Sequence, residues 1–253
     1  MVILEGRMIT KVYENQGKNS TFAVNGVDLR INKGDFTAVM GPSGSGKTTL
    51  LNLLSGIVRP SSGCIEFLGR DLNSLRSSDL AEVRRRNMGF VFQDYNLMDS
   101  LTLKENILLP MILEKKPINY MEEVCETIID SIGIKSIEHK YPYNVSGGEQ
   151  QKTAIARALA NEPDIIFADE PTGNLDSKSS QSVMKCFQTI NEERNSTVFM
   201  VTHDVFAASF CRKVIFIKDG CIHSEIVKKG NNKEFFYEIL DSMAVLGGVS
   251  LDI

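Results

Sequence analysis

The stretch Gly41-Pro42-Ser43-Gly44-Ser45-Gly46-Lys47-Thr48 constrains this chain more than any other. It fits the pattern G-x-x-x-x-G-K-[ST], in which glycines let successive backbone N–H groups approach phosphate oxygens. The apolar run Phe36–Met40 before it reads as a buried strand, and the leucine-rich residues 49–55 after it read as a helix. A strand, a glycine loop and a helix N-terminus together make an anion site, because the helix start supplies unpaired N–H groups and partial positive charge. Lys47 is then expected to reach the β- and γ-phosphates and Thr48 to ligate Mg²⁺, with the nucleotide-contacting stretch running on through Thr49. The chain is expected to bind a nucleoside triphosphate and to have an α/β fold.

A second apolar run, residues 165–168, reads as a core strand with Asp169-Glu170 at its C-terminal edge. Ligands of open α/β sheets sit at those edges, so both carboxylates are expected to face the nucleotide. Asp169 suits Mg²⁺, which prefers hard oxygen ligands. Glu170 suits the general base that polarises an attacking water.

Val145-Ser146-Gly147-Gly148-Glu149 then precedes a helical stretch, residues 150–160. Ser146, Gly147 and Gly148 make another phosphate cradle in a chain that already has one, which makes sense if the second serves the nucleotide of a partner subunit. This segment resembles the signature of ATP-binding-cassette (ABC) ATPases, usually Leu-Ser-Gly-Gly-Gln, with Val145 and Glu149 as departures. Lys152 stands where relatives commonly carry arginine, a difference expected to touch only a local contact.

The resemblance extends over nearly the whole chain and implies roles for further residues. Tyr13 matches the aromatic that stacks on adenine. Gln93, after residues 88–92, matches the glutamine that senses the γ-phosphate and Mg²⁺ and touches the membrane partner. Asn174-Leu175-Asp176 matches the loop that crosses the dimer interface, with Asp176 beside the nucleotide. His203, after Thr197–Val201, matches the histidine that contacts the γ-phosphate and orients the attacking water. The implied cofactors are ATP and Mg²⁺.

Composition agrees with one catalytic unit. At 253 residues and 42% hydrophobic content, the chain can bury one large core and has no room for a second cassette. No apolar run approaches the ~20 residues of a membrane span, and no signal-peptide layout is present. Cys64, Cys125, Cys186, Cys211 and Cys221 are scattered without a Cys-x-x-Cys pair, which is expected of reduced thiols. A net charge of −4 gives no electrostatic footprint for nucleic acid. The dense basic run Arg84-Arg85-Arg86 is expected to form a solvated face at a helix C-terminus.

Residues 2–31 alternate and read as an antiparallel sheet carrying Tyr13. From residue 94 to about 160 the pattern is helical, and from 165 to 218 strands and helices alternate again as in a parallel sheet. The expected fold is thus a P-loop NTPase core with a mixed, mainly parallel sheet, an N-terminal antiparallel β subdomain and an inserted helical subdomain. A single ABC ATPase domain over 1–230, with its helical subdomain about 94–160, is followed by a helical tail over 231–253.

Phe90-Val91-Phe92-Gln93-Asp94-Tyr95-Asn96-Leu97, Leu103-Lys104-Glu105-Asn106-Ile107 and the run from Phe167 to Asp176 are similar to the branch of lipoprotein-release and macrolide-efflux ATPases. Phe216-Ile217-Lys218-Asp219-Gly220 and Val245-Leu246-Gly247-Gly248-Val249 are most similar to bacitracin-type peptide-antibiotic transporters. That group implies peripheral attachment to the cytoplasmic face of the membrane through a permease, a second copy of the chain in a head-to-tail dimer, and a two-component sensor kinase reached through the permease. A lipoprotein-release or macrolide-efflux ATPase, or a non-transport cell-division regulator, shares the same motifs. A nucleic-acid clamp or a translation factor would need a coiled-coil insertion or two cassettes, and neither is present.

Overall fold

The computed structural model describes residues 1–14 and 20–246. The tail segment Gly247-Gly248-Val249 lies outside them. Two sheets carry the molecule. β1 (Val2–Glu14), β2 (Ser20–Asn32), β4 (Ser62–Phe67) and β5 (Arg70–Asp71) form an antiparallel sheet in the order β2-β1-β4-β5. The other sheet runs β10-β9-β3-β8-β7-β6, comprising β3 (Phe36–Met40), β6 (Met88–Val91), β7 (Ile165–Asp169), β8 (Thr197–Val201), β9 (Lys213–Lys218) and β10 (Cys221–Val227). All its pairings are parallel except β9 with β10. This is the mixed α/β architecture that the sequence implied.

Side-chain alternation splits the interior in two. Every residue of β3 and β8 is buried, as expected of parallel strands covered on both faces. Met40, Ala168 and Phe216 face one core, shared with α3 (Leu103–Leu113), α4 (Ile118–Ile132), α5 (Gly147–Leu159), α6 (Ser177–Arg194) and α8 (Asn232–Leu246). Their neighbours Val39, Phe167 and Ile217 face the other, shared with β1, β2, β4 and α1 (Lys47–Leu54). An eight-residue helix such as α1 is too short to persist alone. It is held by Leu50, Leu51, Leu53 and Leu54, all fully or almost fully buried, each contributing roughly 1.5–3 kcal/mol of transfer free energy.

Register then assembles the site. Val39 and Asp169 both align with Val201, so the chain leaves β3, β7 and β8 at one edge, at Gly41, Glu170 and Thr202. Helices α3, α4 and α5 all lie between β6 and β7 in sequence, and α5 packs against β6, which ends just before Gln93. Among the described residues no helix is long and apolar enough to cross a membrane.

The basic run closes α2 (Ser77–Asn87) as expected, with the Arg85 and Arg86 side chains 41% and 56% exposed, and it also engages neighbouring elements. Arg85 and Arg86 both hydrogen-bond Glu114, which follows α3 and whose side chain is only 6% exposed, while Arg84 donates to the carbonyl of Gly56 at 2.9 Å. The Arg85 hydrogen bond, opposed by burial and assisted by Arg86, holds the Glu114 carboxyl below the usual range. The run is a tie between helices, because a nearly buried carboxylate needs charged donors.

Candidate active site

The loop from Gly41 to Gly46 is shaped by what surrounds it. A Cβ on Gly41 would stand 2.1 Å from the Ile217 carbonyl oxygen, and one on Gly46 would stand 2.0 Å from that of Ala23. Gly46 has φ 101° and is the N-cap of α1, with no side-chain hydrogen bond to cap it. A Cβ on Gly44 would meet nothing within 4 Å, so the loop is packed from behind and open in front. Lys47 Nζ donates to the carbonyls of Gly41 and Pro42 at 2.9 and 3.0 Å. Burial lowers the pKa of Lys47, while Glu170 and Asp169 oppose that shift. Ser45 Oγ is buried without a hydrogen-bond partner among the described residues, a further polar atom at the cradle.

Thr48 Oγ1 donates to Asp169 Oδ1 at 3.2 Å, so two of the three residues anticipated for Mg²⁺, the third being Gln93, are adjacent. Burial raises the Asp169 pKa, against the opposing influence of the Thr48 hydrogen bond. A hydroxyl and a desolvated carboxylate form a donor set that suits a hard divalent cation, whose charge would relieve that burial. The oxygen chemistry of the site therefore fits Mg²⁺.

Glu170 follows β7 with φ 46°, a left-handed backbone uncommon for a non-glycine residue. Its backbone N–H donates to the Val201 carbonyl at 2.9 Å. Oε1 lies 2.9 Å from His203 Nδ1, and since a carboxylate only accepts, Nδ1 carries the proton. Oε2 accepts from Thr202 Oγ1 at 3.0 Å and from the His203 backbone N–H at 3.2 Å. Glu170 and His203, separated by 33 residues, are thus in direct contact. Thr202 is absent from the sequence-derived set, and only the β7–β8 register reveals it.

Gln93 and the loop carrying Asn174 meet at the same edge. Gln93 Nε2 donates to Asn174 Oδ1 at 3.1 Å, and Asn174 Nδ2 donates to Asp94 Oδ1 at 2.9 Å. Arg157 of α5 donates to the carbonyls of Tyr95 and Asn96, both in left-handed conformations, and Gln151 Nε2 donates to that of Phe92 at 3.2 Å. The signature helix therefore holds the Gln93 loop from below. At its start, Ser146 and Glu149 form a reciprocal capping box: Ser146 Oγ and N donate to Glu149 Oε2 at 2.7 and 2.8 Å, and Ser146 Oγ accepts from Glu149 N. Gly147 lies where a Cβ would stand 2.6 Å from the Tyr95 hydroxyl, and Gly148 packs against Ser179. Asp176 caps α6, accepting from the backbone N–H groups of Lys178 and Ser179 and from Ser179 Oγ. Those bonds, Ser179 Oγ first, lower its pKa. Tyr13, near the end of β1, is 42% exposed, with Lys11 Nζ 5.2 Å from its ring centroid.

Comparison with known proteins agrees with this geometry. The family model described as ABC transporter matches residues 24–173. The uncharacterized ABC transporter ATP-binding protein YvcR of Bacillus subtilis is 48% identical over 249 residues, spanning 98% of this chain and 96% of that one. The bacitracin export ATP-binding protein BceA of Halalkalibacterium halodurans is 46% identical over 253 residues and covers all of both chains. Among solved structures, the dimeric post-hydrolysis state of the ATP-binding cassette MJ0796 bound to ADP and Pi superposes with a TM-score of 0.81 at 37% identity, covering 90% of this chain and 100% of that one. The corresponding Methanocaldococcus jannaschii protein is 40% identical over 226 residues, 88% of this chain and 96% of that one. A phosphate cradle, a glycine-started helix and an acidic strand end, in this order and on this fold, together with the family match and these relatives, place the chain in the ABC transporter family as an ATP-hydrolysing subunit.

Proposed function

We propose that this ATPase powers a membrane permease that removes peptide antibiotics of the bacitracin or lantibiotic type, so that hydrolysis becomes resistance. The observation that carries this reading is the end-to-end match to BceA at 46% identity. The segments from Phe216 to Gly220 and from Val245 to Val249 support it. A lipoprotein-release or macrolide-efflux ATPase is the second reading, favoured by the run from Phe90 to Leu97 and by the Pro171-Thr172-Gly173-Asn174 loop.

In this proposal two copies of the chain pair head to tail. The loop Gly41–Gly46, Lys47 and the α1 N-terminus of one copy bind the phosphates, Tyr13 stacks on the adenine, and Ser146, Gly147 and Gly148 of the other copy close over the γ-phosphate. Thr48, Gln93 and Asp169 would hold Mg²⁺, which would supply charge neutralisation for the phosphates. Glu170 accepts a proton from the attacking water as the water oxygen bonds to the γ-phosphorus and the bond to the β-phosphate oxygen breaks. His203 orients that water, and orientation with charge stabilisation accounts for most of the acceleration.

The permease docks, in the same proposal, at a cavity of about 520 Å³ between α2, α3 and α5. It is lined by Phe90, Phe92, Leu109 and Leu113, with Arg84 and Arg157 at hand, directly behind the Gln93 loop. Attachment there holds the ATPase peripherally at the cytoplasmic face. A sensor kinase is reached through the permease.

The test is a host carrying Glu170→Gln in place of the wild-type chain. It is expected to become several-fold more susceptible to bacitracin-like or lantibiotic peptides, with normal division and lipoprotein sorting. Unchanged susceptibility across such a panel, with a division or lipoprotein defect instead, moves the assignment to the second reading or to a regulator.

A further inference from the structure

We infer that Thr202 is a positioning residue for hydrolysis, holding the Glu170 carboxylate in place when His203 turns toward the nucleotide. The inference rests on Glu170 acting as the base. Three donors reach that carboxylate: Thr202 Oγ1 at 3.0 Å and the His203 N–H at 3.2 Å on Oε2, and His203 Nδ1 at 2.9 Å on Oε1. They differ in how firmly each is fixed. The His203 side chain is 68% exposed, so its ring is free to rotate away. Thr202 is fully buried, and its backbone N–H donates to the Val39 carbonyl at 3.1 Å, tying it to the strand that leads into the phosphate loop.

The Thr202 hydroxyl has one proton, and its direction is determined. Oγ1 accepts from the Asp204 N–H at 3.0 Å, so its own proton is left for Glu170 Oε2. Asp204 is itself held, since Oδ1 accepts from the Phe206 N–H at 2.9 Å to cap α7 (Val205–Ser209), and Oδ2 accepts from Thr172 Oγ1 at 3.4 Å. Thr202 therefore connects the carboxylate to a partly buried network on one side and to β3 on the other. If His203 releases Oε1 to meet the γ-phosphate, Oε2 remains bonded to Thr202 and to the backbone. A base must keep its geometry at the moment of attack, and a displacement of about 1 Å costs on the order of 100-fold in rate.

The experiment compares Thr202→Val, which keeps the shape and removes the hydroxyl, with Thr202→Ser, which keeps the hydroxyl, in the full chain with ATP and Mg²⁺. Thr202→Val is expected to lower kcat about 10- to 100-fold with KM for ATP within about 2-fold of wild type. Thr202→Ser is expected to restore kcat to within a few-fold. A wild-type kcat for Thr202→Val overturns the inference, as does a Thr202→Ser variant as slow as Thr202→Val with a similar thermal midpoint. Glu170→Gln is assayed alongside. If it is inactive while Thr202→Val turns over normally, only the Thr202 inference falls, whereas normal turnover by Glu170→Gln removes both.

Discussion

Helices α1 and α5 both begin in glycine-rich segments, yet they satisfy their first N–H groups in opposite ways. At α1 the N-cap is Gly46 and no side chain bonds back to the helix start. At α5 the N-cap is Ser146, and a full capping box with Glu149 fills the same role. An uncapped helix start leaves N–H groups for an incoming phosphate, whereas a capped one is stable without a ligand. The first end is built to bind within its own chain. The second keeps its shape without a ligand, and in the proposed head-to-tail pair its serine hydroxyl would leave Glu149 to meet the partner's nucleotide.

Disabling each end separately has the largest expected effect. Lys47→Ala should weaken ATP binding and reduce turnover about 100-fold or more, while Ser146→Arg should reduce turnover to a similar degree and leave nucleotide binding by the isolated chain near normal. Fluorescent-nucleotide titration and phosphate release measure the two. In demonstrated mixed dimers of the variants, one site carries both defects and the other neither, so activity should return in part. Equal loss of ATP affinity in both variants would erase the distinction between the ends.

A smaller effect separates glycines within the first end. Gly46→Ala must fit a Cβ 2.0 Å from the Ala23 carbonyl oxygen at φ 101°, and is expected to cost on the order of 3 kcal/mol in urea unfolding. Gly44→Ala, with nothing within 4 Å and φ 77°, carries only the backbone penalty of about 1–2 kcal/mol. Equal midpoints for the two would show that packing behind the loop does not restrain it.

The smallest expected effect is at the second end. Glu149→Ala removes half of the capping box and should lower stability by about 1 kcal/mol. The Ser146 hydroxyl and backbone bonds lower the Glu149 pKa, so its contribution is present at neutral pH and is lost as pH falls through that lowered folded-state value. The gap between variant and wild type should accordingly narrow in acid. A gap independent of pH would mean that the carboxylate charge plays no part in the cap.

Local patterns made much of this legible in the sequence. The five-residue apolar runs became β3 and β8 with the bounds read from sequence, because buried parallel strands carry continuous apolar side chains. Helix α1 starts at Lys47, two residues before the leucine-rich stretch suggested, since polar residues at a helix start carry no periodic signal. Ser146-x-x-Glu149 has the capping-box pattern, but the same serine and the glycines between are also the pattern of a phosphate cradle, so spacing alone does not separate the two. Partners distant in sequence stayed hidden. The buried carboxylate that engages Arg85 lies 29 residues away, and Thr202 is 32 residues from Glu170, so neither contact follows from spacing.

The position of β3 in the sheet bears on how the protein is made. Phe36 pairs with Val198, and Met40 pairs with Phe216, so the strand leading into the phosphate loop lies between two strands translated long after it. The antiparallel sheet of β1, β2 and β4 closes among early residues, whereas the central sheet waits for most of the polypeptide to leave the ribosome. A growing chain consequently has no complete nucleotide pocket through most of its synthesis, and competence to bind ATP arrives late, nearly together with completion of the sheet.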